Sequence, residues 1–222
     1  MIRFVTGTDT GVGKTIASAA LAYRATADGQ RVRYIKPVQT GVKRGQPGDA
    51  DFVRAIADVE TLEFHRFDEP LAPAVAADRA GERIDFDSLT AQVLMGEGSF
   101  DLSLVEGAGG LLAPLTGNRS MADLAVAIRA ELIVVTRPGL GTLNHTALTL
   151  EAAERRGIPV AGLVVSGWPA RPKVAERTNI RRLGAMAPLL AVVANIRGVS
   201  VDKAQPEALR NALESGSAFV TP

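Results

Sequence analysis

A glycine-rich segment near the N-terminus has the residue types and the spacing of a phosphate-binding loop. Residues 7–15 read Gly-Thr-Asp-Thr-Gly-Val-Gly-Lys-Thr, after the apolar, β-branched run 2–6 and before the apolar amphipathic segment 16–27. A loop between a strand and a helix directs successive backbone N–H groups at a phosphate chain, at the positive end of the helix dipole. In that setting the Lys14 ammonium reaches the β- and γ-phosphates, and the Thr15 hydroxyl ligates Mg²⁺. The segment therefore predicts a nucleoside triphosphate site.

The motif departs from the usual pattern at its first glycine. Thr8 stands where the first glycine of Gly-x₄-Gly-Lys-[Ser/Thr] belongs, and Gly7 lies one position early. The alternative interpretation is a glycine turn that leads into an ordinary helix N-terminus, with Thr15 as a capping residue. The order of strand, loop and helix favours the phosphate-binding interpretation.

The composition is typical of a globular protein with little net charge. The chain has 222 residues, 46% of them hydrophobic and 22% charged, and we expect one domain over residues 1–222. Lys plus Arg number 25 and Asp plus Glu 24, and this balance gives no field that would favour a nucleic acid or an anionic membrane. The absence of cysteine excludes disulfides, thiolate metal sites and cysteine nucleophiles. No apolar run reaches the ~18 residues that span a bilayer, and we expect a cytoplasmic location.

Apolar, β-branched runs alternate with segments of helical periodicity. This alternation, with the phosphate loop, predicts an α/β fold of the P-loop NTPase type, a three-layer sandwich in which a mostly parallel sheet has helices on both faces. Residues 64–83, which include Pro70 and Pro73, are expected to be irregular. The predicted strands are 2–6, 32–36, 102–106, 132–136, 160–165 and 189–193, and the predicted helices are 14–28, 49–58, 86–96, 120–128, 142–156, 172–184 and 205–214.

Two predicted strands end in a charged residue. In such sheets ligands bind beyond the carboxyl ends of the strands, so these positions are candidates for chemistry. Lys36 is either a cation that faces the phosphate loop or a solvated lysine at the start of a loop. Glu106 precedes the glycine-rich stretch 107–110 and suits a Mg²⁺ ligand, because Mg²⁺ prefers oxygen donors. The alternative for Glu106 is a carboxylate bonded to its own loop amides.

Two further segments carry polar residues at the start of a predicted helix. Asp49 and Asp51 are either cap or first-turn acids, and Asp51 is also a candidate metal ligand. The loop 139–146 leads into a helix, and its amides are suited to hold a carboxylate. We interpret His145 as structural, because the other histidine is distant in sequence and no cysteine supports a metal site.

Four motifs together resemble those of the dethiobiotin synthetase family. They are the phosphate loop 7–15, Lys36-Pro37-Val38, the Val-Glu-Gly-Ala-Gly-Gly segment 105–110, and Gly-x-x-Asn-His at 141–145, in the family's order and spacing. The family's form of the loop has threonine at the position of Thr8, so the departure noted above is a family marker. The resemblance extends from residue 1 to about residue 190 and weakens after that.

The resemblance implies a cyclo-ligase reaction of biotin biosynthesis with ATP as co-substrate. The substrates are 7,8-diaminopelargonic acid and CO₂ or bicarbonate. One amine takes up CO₂ to form a carbamate, and a carbamate oxygen attacks the γ-phosphate to give a carbamic–phosphoric anhydride. The second amine then closes the ureido ring and expels phosphate. In the family, the active enzyme is a homodimer in which the 139–145 loop of one subunit completes the site of the other.

The resemblance also implies roles for residues at matching positions. Lys14, Lys36 and Thr10 would be catalytic, because two cations beside the carbamate and the γ-phosphate offset the repulsion between these anions. Thr15, Asp51 and Glu106 would hold Mg²⁺. The implied nucleotide-binding residues are Gly11, Val12, Gly13, Lys14, Thr15, Ile16, Glu106, Gly107, Ala108, Gly109, Ser166, Gly167, Val193, Ala194 and Asn195, and the implied substrate-binding residues are Thr10, Lys36, Thr40, Pro73, Gly141, Thr142, Leu143 and Asn144.

The segments that would contact the nucleobase depart from the family pattern. Ser166-Gly167 replaces an Asn-Asp pair that often reads adenine, and residues 191–194, Ala-Val-Val-Ala, replace a Gly-x-Ile-Pro loop. Since the phosphate end of the motif is intact and the base end is rewritten, we expect a relaxed preference for the nucleotide base.

An alternative interpretation is a partitioning or regulatory ATPase of the deviant P-loop group. Those proteins resemble this chain in fold and in Gly-Val-Gly-Lys-Thr. Their diagnostic lysine would fall at Asp9, however, and that interpretation gives no role to Lys36-Pro37 or to Asn144-His145.

Overall fold

The fold is built on a parallel sheet that lies between two layers of helices. The computed structural model describes residues 1–199, 201 and 206–221, and within them seven strands form the sheet and two more form a small antiparallel ribbon. In chain order the strands are β1 (Ile2–Gly7), β2 (Val32–Thr40), β3 (Glu60–Phe67), β4 (Leu102–Gly110), β5 (Pro114–Thr116), β6 (Arg119–Ser120), β7 (Glu131–Thr136), β8 (Val160–Trp168) and β9 (Leu189–Ala194), with β5 and β6 forming the ribbon.

Helices follow most strands, as expected for right-handed crossovers between parallel strands. In chain order they are α1 (Lys14–Ala27), α2 (Asp49–Ala57), α3 (Pro73–Ala80), α4 (Phe86–Leu94), α5 (Met121–Ala127), α6 (Thr142–Glu154), α7 (Val174–Met186) and α8 (Glu207–Glu214), with a single 3₁₀ turn at Glu97–Ser99. No helix in the described part of the chain is long and apolar enough to cross a membrane.

The two faces of the sheet carry two separate hydrophobic clusters. Successive residues of a strand point to opposite faces, so Phe4 belongs to one cluster and Val5 to the other. Helices α1, α2 and α8 contribute to the Val5 cluster, and α3 to α7 contribute to the Phe4 cluster. This arrangement confirms the predicted three-layer α/β fold.

The strand order brings the candidate site residues to one edge of the sheet. The order is β3-β2-β4-β1-β7-β8-β9, so β4 lies between β2 and β1. The register pairs Val5 with Glu106 and Ile35 with Val105. The phosphate loop after β1, Lys36 on β2 and Glu106 on β4 therefore meet at the carboxyl ends of three adjacent strands.

The prediction that residues 64–83 are irregular was wrong. Strand β3 lies at the sheet edge and is only partly buried, so its sequence, Glu-Thr-Leu-Glu-Phe-His-Arg-Phe, mixes charged and apolar residues and lacks a long apolar run. Helix α3 begins with Pro73 at its first position, where the missing N–H and fixed φ of proline are tolerated. The six predicted strands and seven predicted helices are each present with small shifts in their bounds. Residue 205, the predicted start of the last helix, lies outside the described residues.

Candidate nucleotide and substrate site

The phosphate loop has the backbone conformation that its glycines permit. Gly13 is the N-cap of α1 with φ 91°, and Gly11 has φ 72°, both in the left-handed region. A Cβ at Gly13 would lie 2.3 Å from the Ser166 Oγ, so glycine is needed there for space as well as for conformation. The loop ends at the N-terminus of α1, where Lys14 and Thr15 are the first helical residues and the orphan N–H groups suit an anion.

Four polar side chains form a buried cluster beside this loop, which we call the Lys36 cluster (Thr15, Lys36, Asp49 and Glu106). The Lys36 Nζ donates to Glu106 Oε1 at 2.9 Å and to Asp49 Oδ2 at 2.5 Å. The Thr15 hydroxyl donates to the same Glu106 Oε1 at 2.9 Å. Lys36 is 3% exposed and Glu106 1%, and each is partnered as a buried charge must be.

The charges of the cluster shift the pKa values of both lysines. Burial would lower the pKa of Lys36, but Asp49 and Glu106 outweigh it and hold this pKa above its usual value. Burial lowers the pKa of Lys14, and the opposing effect of Glu106 does not restore it, partly because Lys36 is a second nearby cation. The Lys14 Nζ donates to the carbonyl of Asp9 at 3.2 Å. Lys36 is therefore held as a cation by two carboxylates, whereas Lys14 has no comparable anionic partner in the described part of the chain.

A cavity of about 620 Å³ opens over the loop and the cluster. Its volume is in the range of small-molecule sites. It brings together many of the residues that the sequence predicts to bind nucleotide or substrate. The other described residues that line it are Gln39, Gly41, Val42, Pro47, Gly48, Asp49, Pro70, Val199 and Val201. The predicted residues that line it are Thr10, Gly11, Gly13, Lys14, Thr15, Ile16, Lys36, Thr40, Glu106, Ala108 and Gly109.

A second, smaller cavity of about 70 Å³ lies between the first turn of α1 and the ends of β8 and β9. Ile16 lines both cavities, so the two are neighbours along α1. Four of the five predicted base-contacting residues line the small cavity, namely Ser166, Gly167, Ala194 and Asn195. The fifth, Val193, is fully buried and pairs within the sheet with Ser166 and, by an isolated bridge, with Phe219.

The structure places Asp49, and not Asp51, in the Lys36 cluster. Asp51 accepts a hydrogen bond from the Gly48 backbone N–H at 2.9 Å and pairs with Arg54 at 2.5 Å, so it caps α2 on a more exposed side. Positions two apart on a helix do not share a face, so one acid of this pair faces Lys36 and the other faces away. The Gln39 Oε1 accepts from the Asp49 backbone N–H at 3.0 Å and ties the start of α2 to the end of β2.

The predicted substrate-carboxylate loop does not line the cavity of its own chain among the described residues. Thr142 is fully buried, and its hydroxyl lies 2.6 Å from that of Thr136, in a network that also includes Thr146 at 3.0 Å. Asn144 is exposed, and Leu140 is 93% exposed. Three more predicted substrate-binding residues are absent from the described lining, namely Pro73, Gly141 and Leu143. Two predicted nucleotide-binding residues, Val12 and Gly107, are absent as well, although their neighbours in sequence line the cavity.

Sequence reasoning gave no site role to three side chains that hold the cluster together. They are Asp49, Gln39 and Ser18, whose hydroxyl donates to Glu106 Oε2 at 2.7 Å. Ser18 follows Thr15 by three residues on α1, which puts both on one helix face, and this spacing is the signal that would have found it. Gln39 lies in the strand end after Lys36, but its bond to the Asp49 amide depends on how α2 packs.

The donor atoms of the cluster fit Mg²⁺. Mg²⁺ is commonly bound by one or two carboxylates together with phosphate oxygens and water. The Thr15 hydroxyl and the Asp49 and Glu106 carboxylates supply hard oxygen donors, and the Lys36 cation already bridges the two carboxylates. Among the described residues no group of three or more His, Cys, Asp and Glu side chains forms a denser metal site.

A parallel sheet with a glycine-rich loop, a buried lysine at the helix start and an acidic strand end defines the P-loop nucleotide-binding class. The chain matches the AAA domain family over residues 3–201. It is 48% identical to an ATP-dependent dethiobiotin synthetase of Frankia casuarinae, over 85% of this chain and 82% of that protein. It is also 48% identical to the enzyme of the same name from Mycobacterium avium, over 86% of each chain. The chain therefore belongs to the dethiobiotin synthetase family.

Several solved structures share the fold at low sequence identity. The MinC:MinD cell division protein complex of Aquifex aeolicus is 13% identical, with a TM-score of 0.58 over 100% of this chain and 97% of that chain. The cell division ATPase MinD of Pyrococcus furiosus is 18% identical, with a TM-score of 0.55 over 96% of this chain and 98% of that chain. These likenesses show the fold alone and give no support to the partitioning alternative.

Proposed function

We propose that the cleft forms dethiobiotin from 7,8-diaminopelargonic acid, CO₂ and ATP by the carbamate route. ATP-dependent dethiobiotin synthesis in biotin biosynthesis is the activity of the family to which the chain belongs. The observation that carries the proposed chemistry is the pair of buried lysines, Lys14 and Lys36, that line one cavity beside the phosphate loop. Phosphoryl transfer between two anions benefits from two cations, because each offsets part of the repulsion as the anions approach.

Residues at different positions in the cavity have different roles in the proposed reaction. The N–H groups at the start of α1, together with Lys14, hold the triphosphate. Lys36 lies across the cavity on β2 and stabilises the carbamate as its oxygen approaches the γ-phosphate. Thr10 and Thr40 line the same cavity and bind the carbamate and the substrate amines through their hydroxyls.

We propose that Thr15, Glu106 and Asp49 hold Mg²⁺, with Asp49 in the place that the sequence predicts for Asp51. Asp49 and Glu106 both contact Lys36, whereas Asp51 caps α2 and pairs with Arg54. When bound, Mg²⁺ neutralises charge on the phosphate oxygens and orients them. An Asp49→Asn variant is expected to lose metal-dependent activity, and Asp51→Asn is the matched control; the opposite ranking of the two would restore Asp51 as the ligand.

We propose a relaxed preference for the nucleotide base. The small cavity of Ile16, Ser166, Gly167, Ala194 and Asn195 has one amide and one hydroxyl side chain to read a base. Discrimination by hydrogen bonding requires polar groups that the wrong base leaves unpaired, and this cavity has few. Steady-state rates with ATP, CTP, GTP and UTP test the proposal, and an exclusive use of ATP would contradict it.

We also propose that a second copy of the chain completes each site. The 139–145 loop does not line its own cavity among the described residues, and Leu140 and Asn144 in it are exposed. Leu148 on α6 exposes further apolar surface. In a homodimer, this loop can reach the cavity of the partner and hold the carboxylate of the substrate by Asn144 and the amides at the start of α6. A single domain over residues 1–222 and a cytoplasmic location stay predictions.

Phosphate release tests the proposed reaction. The protein is incubated with MgATP, bicarbonate and the diamine, and each component is omitted in turn. Phosphate is expected only when both the diamine and bicarbonate are present. A Lys36→Met variant should lose turnover by about 10²-fold or more while it retains nucleotide binding, since Lys36 acts on the carbamate.

The matched control is Lys43→Met, which changes an exposed lysine on the loop after β2 and should leave turnover unchanged. Phosphate release that is independent of the diamine would indicate a simple ATPase. Equal loss of turnover and of nucleotide binding in Lys36→Met would make Lys36 a nucleotide ligand instead.

A further inference from the structure

The carboxylate of Glu106 is bound on both oxygens, and the two oxygens have different partners. Oε1 accepts from the Thr15 hydroxyl and from Lys36 Nζ, both at 2.9 Å. Oε2 accepts from the Ser18 hydroxyl at 2.7 Å. Ser18 is fully buried and is not among the described residues that line the cavity. Ser18 therefore contacts the carboxylate from the protein interior and not from the cavity.

The two donors on Oε1 have other tasks in the proposed reaction. Thr15 presents its hydroxyl oxygen to the metal, and Lys36 stabilises the carbamate. When they do so, Oε1 is free to bind the metal, and the orientation of the carboxylate depends on its remaining contacts. A carboxylate can rotate about its last bond, so a fixed donor on Oε2 determines where Oε1 points.

We propose that Ser18 is a positioning residue that holds Glu106 in the orientation that binds the metal. This inference rests on the proposed metal site of Thr15, Asp49 and Glu106. Ser18 lies three residues after Thr15 on α1, so one rigid helix face carries both the metal-binding hydroxyl and the hydroxyl that orients the carboxylate. A hydrogen bond from a buried hydroxyl to an ionised carboxylate is short and strong, which suits this role.

Another hydroxyl near Glu106 does not have this contact. Tyr34 is fully buried, and its hydroxyl has no hydrogen-bond partner among the described residues. Tyr34 lies close enough to Glu106 to feel its charge, but its hydroxyl does not meet the geometry of a hydrogen bond within the described residues. Ser18, which donates to Oε2 at 2.7 Å, is therefore the better placed of the two hydroxyls to orient the carboxylate.

Metal binding by the Ser18→Ala variant tests this role without turnover. Binding of Mn²⁺ to the protein in the presence of saturating ADP is measured by electron paramagnetic resonance of the free ion. Removing the partner that orients a metal ligand typically weakens metal binding about 10- to 100-fold, and we expect a loss of that size. The affinity for ADP without metal should stay within about twofold of the wild type, because Ser18 does not line the cavity.

Ser103→Ala is the matched control. Ser103 is also a fully buried serine, its hydroxyl accepts from Arg33 Nε at 2.8 Å, and it lies on the same strand as Glu106 but three residues before it. The Ser103→Ala substitution removes one buried hydroxyl and its hydrogen bond with a charged partner, outside the Lys36 cluster. Its Mn²⁺ affinity should equal that of the wild type, so a shared loss in both variants would indicate general destabilisation and contradict the proposal.

Two further outcomes separate the failure of this inference from that of the metal site. If wild-type protein with ADP binds Mn²⁺ tightly and Ser18→Ala binds it equally well, the role of Ser18 is contradicted and the metal site stands. If the wild type binds no Mn²⁺ with ADP, both fail. Should Ser18→Ala not fold, Ser18→Cys fills the site with a slightly larger side chain and a weaker donor, and its Mn²⁺ affinity should fall between those of wild type and the expected alanine value. A wild-type affinity would contradict the proposal.

Discussion

Single charged residues organise the cleft through a balance between burial and pairing. Lys36 lies between two carboxylates, and burial alone would lower its pKa, but Asp49 and Glu106 keep the ammonium charged. Removing one partner of a buried ion pair leaves the opposite charge buried and uncompensated, which lowers the free energy of unfolding by about 3–5 kcal/mol. This cost explains why the Lys36→Met test includes nucleotide binding as an independent measure of an intact site.

Tyr34 presents the opposite case, a buried polar group without a partner. Its hydroxyl makes no hydrogen bond within the described residues, and burial, with the nearby Glu106 and Asp49 charges, raises its pKa well above the usual value. A buried hydroxyl without a partner destabilises the folded state by about 1–3 kcal/mol. Tyr34→Phe is therefore expected to raise the free energy of unfolding by about 1 kcal/mol, measured by urea unfolding at pH 7.

The control for this change is Tyr23→Phe, which removes a hydroxyl from a partly exposed tyrosine on α1 and should change stability little. A drop of more than about 1 kcal/mol in Tyr34→Phe would mean that the hydroxyl is satisfied in solution, because only a made hydrogen bond stabilises to that extent.

At the level of helices and strands, elements with a continuous apolar run were predictable from the sequence, and β3, which lacks one, was not. The phosphate loop, Lys36 and Glu106 were found because each follows an apolar run that is buried on both faces. Strand β3 was missed because it mixes charged and apolar residues and has no continuous apolar run, whereas β9, the strand at the other edge, has such a run and was predicted. The start of α2 at Asp49 was predicted, but the choice between Asp49 and Asp51 depended on how α2 packs against the end of β2 through the Gln39 contact, which the sequence alone does not determine.

A surface ion pair joins the starts of two neighbouring strands and gives the fold a pH-dependent contact. Arg31 precedes β2 and Asp101 precedes β4, and the Arg31 side chain and backbone N–H both donate to the Asp101 carboxylate. These bonds lower the pKa of Asp101 from 3.8 to about 2. Because the pKa of Asp101 is lower in the folded state than in the unfolded state, its ionised carboxylate stabilises the fold above about pH 4. This stabilisation is lost as the pH falls toward 2.

Unfolding of wild type and Asp101→Asn between pH 6 and pH 2 measures this contribution. The wild type should be the more stable protein at pH 6, and the difference should close as the pH approaches 2. Asp78→Asn changes an exposed aspartate on α3 and should show no such convergence. A difference that stays constant with pH would contradict the assignment of the effect to the Asp101 charge.

For the whole molecule, the proposed shared site needs two chains, one for the cavity and one for the 139–145 loop. The cavity is lined by residues of the phosphate loop, by both lysines and by Asp49 and Glu106, whereas no residue of the 139–145 loop is among its described lining, and Leu140 is exposed. Lys36→Met and Asn144→Ala variants should each be strongly impaired, because one damages the cavity and the other the loop. In a random mixture of the two chains, half of the dimers are mixed and each has one intact site, so about a quarter of wild-type activity should return.

As the control for the mixture, each variant is taken alone through the same mixing procedure and its activity is measured. Activity that does not exceed the sum of the two variants alone would mean that the loop serves the cavity of its own chain, and the shared-site proposal would fail.

The fate of labelled oxygen tests the proposed chemistry most directly. When the reaction is started with ¹⁸O-labelled CO₂ and stopped before the label exchanges with water, the carbamate carries ¹⁸O on both of its oxygens. One of these attacks the γ-phosphate, and closure of the ring by the second amine leaves it on the phosphate. Mass spectrometry should therefore find one ¹⁸O in each phosphate and the other in the ureido carbonyl of the product. Phosphate without ¹⁸O would show that the carbamate does not attack the γ-phosphate, and it would contradict the role assigned to Lys14 and Lys36.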